Sequence, residues 1–217
     1  MVRIGVISDI HAVLAPLEKA LVLLADASVD RIVCAGDVVD GGMDGDAVVH
    51  LLRQRDIPVV RGNHDEGMFV EQAAIRRMMQ KTGVATHDML LNSETVAFVH
   101  SRPFRYDFEA AGLRVCVAHG TPSSNKRYLF PDAFEEWLDD TVDHALADVV
   151  ILGHTHMPMS LMHRETLIVN PGAVSQNRTH PATRTCGILH LPERRFEVYD
   201  IDTGERHDPN SFSLDTW

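Results

Sequence analysis

Five short polar motifs each follow an apolar, strand-like run in this chain: Asp9-Ile10-His11, Gly36-Asp37, Gly62-Asn63-His64-Asp65, His119-Gly120 and Gly153-His154-Thr155-His156. A polar cluster directly behind a buried strand belongs at a sheet edge, where strand ends converge and ligands gather. The fold must therefore bring residues as distant in sequence as Asp9 and His156 to one edge. Five histidines, Asp9, Asp37 and Asn63 meet there. Each motif alone is a weak signal. Five in this order form a ligand set for two adjacent metal ions.

The apolar patterning supplies the frame. Residues 2–8 are a β-branched run that reads as a buried strand. Helical spacing over residues 12–27 puts Leu17, Ala20, Leu21 and Leu24 on one face. Residues 31–35 predict a second strand, 46–55 a helix and 57–60 a third strand. This β-α-β-α-β order implies parallel strands with right-handed crossovers. From Glu66 to about Tyr106 the character changes. Residues 71–80 and 93–101 predict helices, with Ser93 as the second one's cap, and no metal-type motif occurs. The stretch 66–106 reads as a helical insertion in a single domain over 1–217, or equally as a connecting helix pair. Residues 113–118 predict a strand delivering His119, 132–147 a helix, and 148–152 a strand delivering His154 and His156. Short runs at 167–169, 185–191 and 196–201 predict a β-rich tail that forms a second sheet, and 211–217 a loose end.

The donors dictate the chemistry. Asp9 and His11 lie two apart, as do His154 and His156, and on an extended strand end such pairs point the same way. Asp37 can bridge two ions through its two oxygens, and Asn63 adds a neutral amide oxygen. Nitrogen and oxygen donors without sulfur suit manganese, iron, zinc, cobalt or nickel. Two such ions sit about 3.5–4 Å apart in known sites and lower the pKa of a shared water from 15.7 to about 7. A phosphoryl centre held by the pair then needs a proton for its leaving group. His64 is spare in the ligand count and is the expected donor, with Asp40 holding its ring. The remaining histidines (50, 87, 100, 144, 163, 180, 190 and 207) read as solvated or structural.

Composition narrows the partners. The net charge of -11 gives no basic footprint for nucleic acid and no polybasic membrane patch. No run reaches transmembrane length, and residues 1–8 are too short for a signal peptide. Cys34, Cys116 and Cys186 are scattered and odd in number, which predicts core thiols in a reducing cytoplasm rather than a disulfide framework. A small phosphoester is the expected substrate. Oligomeric state is not written in the sequence.

The motif series D-x-H, G-D, G-N-H-[DE], H and G-H-x-H resembles the calcineurin-like metallophosphoesterase superfamily, over roughly residues 4–175. Residues 170–174, Asn-Pro-Gly-Ala-Val, are similar to the N-P-G-S-V segment of its small bacterial phosphodiesterase branch, and His119 to Pro122 to that branch's HG[ST]P. The resemblance implies an α/β fold, a four-layer αββα sandwich of two mixed sheets flanked by helices. It implies one metal site from Asp9, His11, Asp37 and His156, and a second from Asp37, Asn63, His119 and His154. It assigns His64 to the leaving group, Asp40 to its support, and Arg178 to substrate phosphate, where a solvated surface arginine is the competing reading. Two departures bear on substrate. Many relatives carry Gly-Asn where this chain has Ala12-Val13, so a Cβ there could crowd the substrate or shift the first helix. Protein phosphatases carry V-D-R-G, whereas Val39-Asp40-Gly41-Gly42 lacks the arginine. That favours phosphodiesters over phosphomonoesters or nucleotide pyrophosphates. Relatives that became non-catalytic scaffolds lack the catalytic histidine, which this chain keeps.

Overall fold

The computed structural model describes residues 1–82, 90–175, 178–180 and 182–214. Strand β1 (Val2–Ile7) pairs in parallel with β2 (Arg31–Cys34), with helix α1 (Leu14–Asp26) between them. After α2 (Gly45–Gln54), the expected third strand is reduced to one parallel bridge from Val59 to Cys34. Pro58 has no N–H to give a ladder there, although its carbonyl accepts from the Cys34 amide. Two helices follow, α3 (Asn63–Thr82) and α4 (Ser93–His100). The cap of α4 is Asn92, not Ser93: the Asn92 side chain accepts from the Thr95 amide at 2.8 Å.

A second sheet begins with β3 (Arg105–Ala110), which pairs antiparallel with β4 (Leu113–Ala118). Its side chains alternate between half-buried and exposed, so it lacks the apolar run that marks the buried strands. Helix α5 (Glu135–Ala145) leads to β5 (Val149–Ile151), β6 (Pro158–His163) and β7 (Thr166–Pro171). The sheet order is β3-β4-β5-β7-β6, with β4, β5 and β7 parallel.

The tail does not build a sheet of its own. Its first strands join the second sheet. Then β9 (Thr185–Leu191) returns to lie antiparallel beside β1, followed by β10 (Arg195–Asp200) and β11 (Arg206–His207). Strand periodicity reports which faces are buried but not which neighbour buries them. Residues 213–214, expected to be loose, pair with β8 (Thr179–His180) as β12 (Ser213–Leu214); 215–217 lie outside the described residues.

Alternation sorts the two faces of each sheet. Ile4, Val6 and Val33 point inward against Val115, Val117, Ile151 and Val169 of the second sheet. Ile7 and Cys34 point outward against Leu17 and Leu24 of α1 and Val48 and Leu52 of α2. On the far side, Cys116, Val150 and Ile168 meet Leu138 and Ala145 of α5. The result is the expected pair of mixed sheets flanked by helices. All three cysteines are buried and free. Burial pushes the Cys116 and Cys186 thiols up to about 12, so they act as small apolar residues.

The departure at Ala12-Val13 is accommodated from a distance. Val13 offers α1 no cap, and the Leu14 amide donates instead to Asp44 Oδ2 at 3.1 Å. An acidic side chain from the loop before α2 thus satisfies an orphan donor of α1.

On β10, Glu197 accepts from His190 at 2.7 Å and Arg206 at 2.8 Å and is paired with Arg195. Burial opposes its charge, but the two arginines and His190 outweigh it and hold its carboxyl near 2, against 4.5 normally. A depressed carboxylate stabilises the fold fully above its unfolded value, and that stabilisation disappears as pH falls through the folded value. Glu197→Gln should therefore lower the melting temperature near neutral pH and have a much smaller effect near about pH 2, as thermal denaturation across that range would show.

Candidate metal centre

The motif residues do not lie on extended strand ends. Asp9, His11, Asp37, His154 and His156 all adopt left-handed backbone, with φ of 54°, 50°, 51°, 69° and 56°. Alternation along a strand is therefore not what aims the paired ligands together; tight left-handed turns after β1, β2 and β5 do. Such conformations cost about 1–3 kcal/mol each and persist where surrounding bonds over-determine them. Here the turns after β1 and β2 are laced to each other. Asp9 N–H donates to the Gly36 carbonyl at 3.0 Å, and the Ile10 and His11 amides both donate to the Asp37 carbonyl at 2.9 and 3.0 Å.

Two groups of buried donors result: Asp9, His11 and His156, and Asp37, His119 and His154, with the ligand atoms of each group within 4.8 Å of one another. His11 Nε2 is 3.1 Å from His156 Nε2, and Asp9 Oδ1 is 3.2 Å from the latter. Asp37 Oδ2 lies between the groups, 3.9 Å from His11 Nε2 and 3.1 Å from His119 Nε2. Asn63, the first residue of α3, brings its Oδ1 to 3.0 Å from His119 Nε2.

The rings are aimed by their other nitrogens. His11 Nδ1 donates to the Asp40 carbonyl at 3.1 Å, and His119 Nδ1 to the Ala35 carbonyl at 2.7 Å. His11 and His119 are thereby left with Nε2 turned into the cluster, which is how ligating histidines are oriented. Tyr128 stacks on the face of His154 with centroids 3.9 Å apart.

Metal ions fit this arrangement. Among the described residues, buried His154 Nε2 has no hydrogen-bond partner, a state that normally costs about 1–3 kcal/mol. Burial opposes charge on Asp9 and Asp37, yet the histidines beside them hold both carboxyls below the usual range. Burial likewise opposes charge on His119, but Asp37 and Asp9 raise it to about 9. Burial and the neighbouring His119 push His154 down to about 4. The acids thus demand positive charge at this spot, and a dication held through the lone pairs of neutral rings would supply it in place of protons.

His64 sits beside the groups, outside both. Its Nδ1 donates to Asp40 Oδ2 at 2.7 Å, its amide donates to Asp37 Oδ1 at 2.9 Å, and its side chain is 40% exposed. Arg178 is half-buried just before β8 and makes no hydrogen bond or ion pair with the cluster among the described residues. Of the histidines set aside above, His163 and His190 pair with Asp139 and Glu197, His144 with Asp140, and His100 packs on Phe69. His87 lies outside the described residues.

Several contributors were not foreseen. Buried Asp65 accepts from the Val38, Val39 and Gly62 amides at 2.9, 3.1 and 2.9 Å, tying the Asp37 turn to the start of α3. Burial and the Asp37 charge raise its carboxyl to about 6. Fully buried Asn170 donates to the Gly153 carbonyl at 2.6 Å and accepts from the Gly172 amide at 2.9 Å, holding the G-H-x-H turn. An amide inside the apolar run of β7 was the available signal.

Comparison with known proteins agrees with this geometry. The model of the calcineurin-like phosphoesterase superfamily domain matches residues 2–194, and the chain belongs to that superfamily. It is a metal-dependent phosphoester hydrolase. An uncharacterised protein of Methanocaldococcus jannaschii is 28% identical over 92% of this chain and 87% of its own length. A metallophosphoesterase structure from Sphaerobacter thermophilus superposes with a TM-score of 0.68 at 24% identity, over 91% of this chain and 86% of that one. A structure described as that of a novel archaeal phosphodiesterase gives 0.57 at 20% identity, over 91% and 99%. No helix among the described residues is long and apolar enough to cross a membrane.

Gly62 makes a concrete test of the centre. A Cβ there would overlap Asp37 Oδ1 and press on the Asp37 amide. Gly62→Ala should keep its secondary structure by circular dichroism yet bind manganese about 10–100-fold more weakly by titration calorimetry, the range for disturbed ligand support.

Proposed function

We propose that this protein hydrolyses phosphodiesters at a two-metal centre, with His64 as the general acid. The observation that carries the reading is the His64–Asp40 pair, at 2.7 Å, standing beside two buried donor groups. Asp9, His11, Asp37 and His156 would hold one divalent ion, and Asp37, Asn63, His119 and His154 the other, Asp37 bridging. When bound, such ions acidify a shared water and neutralise the phosphoryl oxygens. Manganese is the first metal to try.

Asp40 fixes the His64 ring through Nδ1, leaving Nε2 to deliver a proton. As the oxygen of water bonds to phosphorus, the bond from phosphorus to the leaving oxygen breaks. The electron pair stays on the leaving oxygen, and the His64 proton neutralises it. The motif glycines keep the turns close enough for this constellation to form.

The diester preference rests on the cations. Position 41, beside Asp40, is glycine rather than arginine. Lys126 and Arg127, on the loop that orients His154, are engaged by Glu66 at 3.6 Å and Asp140 at 2.6 Å. A diester carries one negative charge fewer than a monoester and needs less help from cations beyond the metals. The likeness in fold to an archaeal phosphodiesterase supports the same reading. We take residues 1–217 as a single domain in which residues 66–106, with α4 and the part of α3 beyond the motif, are the helical insertion beside the site, and the buried free thiols as suited to the cytoplasm.

Chelator-treated protein should lose activity on bis(4-nitrophenyl) phosphate and regain it with manganese. Full turnover after metal removal, or hydrolysis of 4-nitrophenyl phosphate alone, would overturn the reading. His64→Ala should bind manganese as the parent does and turn over about 10²–10⁴-fold more slowly on a diester, measured as kcat at saturating metal.

A further inference from the structure

A cavity of about 410 Å³ starts at Asp40, the carboxylate that holds His64, and runs between the loop before α2 and the flank of α3. That size is within the range of small-molecule subsites. One face of α3 connects it to the proton donor. His64, Met68, Glu71 and Ile75 follow one another at helical spacing, so they form a single stripe from the start of the helix outward. Met68 and Ile75 line the cavity together with Met43 and Leu91 from the opposite side. Its wall is apolar.

The cavity is also braced. Leu91 is held from both sides, its amide donating to Gln72 Oε1 at 3.0 Å and its carbonyl accepting from Arg76 at 2.9 Å. The Asn92 amide donates to Asp46 at 3.1 Å, closing α2 against the start of α4. Ala12, next to His11 in the chain, also lines the cavity. The charge in its lining has one sign. Asp40, Asp44, Asp46 and Glu71 reach it, and no lysine or arginine among the described residues lines it.

We propose that this cavity receives the leaving group of the diester, and that the leaving group is uncharged with an apolar body. The inference rests on the hydrolase reading above and sharpens its substrate class. The donor of the leaving-group proton is His64, so the departing alcohol must pass beside that ring, and the cavity is the space that continues from its Asp40 partner. Met43, Met68, Ile75 and Leu91 give the body of the alcohol an apolar contact surface. The carboxylates in the lining repel any leaving group that is itself an anion, which excludes nucleoside phosphates and other phosphorylated alcohols. The phosphoryl group stays at the cation-demanding cluster, so the two ends of the substrate are sorted by opposite requirements.

Two methyl aryl phosphodiesters with leaving phenols of equal acidity test this, one phenol carrying an alkyl group and the other a carboxylate. With manganese-loaded protein, kcat/KM should favour the alkyl ester on the order of tenfold. Glu71→Lys, at an exposed position, should cut that ratio by about threefold or more as repulsion turns to attraction. Equal kcat/KM for the two esters, or a ratio unmoved by Glu71→Lys, would overturn the pocket while leaving the hydrolase reading intact. Hydrolysis of neither ester would overturn the hydrolase reading and the pocket with it.

Discussion

The two sheets must touch at the ends of β1 and β5, because the donor set is divided between them. Asp9, His11 and Asp37 come from the first sheet, and His119, His154 and His156 from the second. Gly153 makes the contact: a Cβ on it would overlap Ser8 Oγ and stand 2.9 Å from Asp9 Oδ2. With that space left open, the His154 amide donates to Asp9 Oδ2 at 3.0 Å while Ser8 Oγ donates to the same oxygen at 2.6 Å. The segment after β7 closes the joint from the other side, the Val174 amide bonding the Ser8 carbonyl at 3.0 Å. Everything at the cluster follows from this seam, since each of the two donor groups draws on both sheets.

Concentrating buried acids and imidazoles in one place is unfavourable without a cation. Desolvation opposes every charge there, and it is overcome only because the carboxylates and rings sit within about 4 Å of each other, where Coulomb terms in a partly buried site reach several kcal/mol. The strained left-handed turns add to this cost. Strain and unmet charge at one spot, in a molecule whose remaining buried faces are regular and apolar, mark where binding energy is recovered. His64 escapes both pressures. It is half-exposed and paired to one carboxylate, as suits a group that exchanges protons with a substrate.

The neighbouring cavity extends the same logic outward. The turn after β2 supplies Asp37 to the metal cluster, Asp40 to His64 and then, through Asp44, the cap of α1. One short loop thus connects the donor cluster, the His64 ring and the cavity wall, the three parts on which the proposed mechanism draws. The absence of an arginine at position 41 belongs to that loop as well, so substrate charge and helix entry are shaped by the same few residues.

Much of this was legible in the chain itself. The apolar runs before each motif located β1, β2, β4 and β5, because buried strands and amphipathic helices write their periods locally. The donor identities came from residue chemistry alone. What the order of residues could not convey depends on contacts between distant segments. Pro58 and a thin apolar pattern reduced a third strand to a bridge and hid β3. The strands of the tail divided between two sheets, since alternation names a buried face and not its partner. Asp65 and Asn170 stand in legible motifs, but like Asp44 they show what they hold only when the folded chain places orphan amides or carbonyls in front of them. The sequence by itself determined which atoms can bind metal and in what strand order they arrive. Only the tertiary structure decided where those atoms aim, because their direction comes from left-handed turns held by hydrogen bonds between segments far apart in the chain.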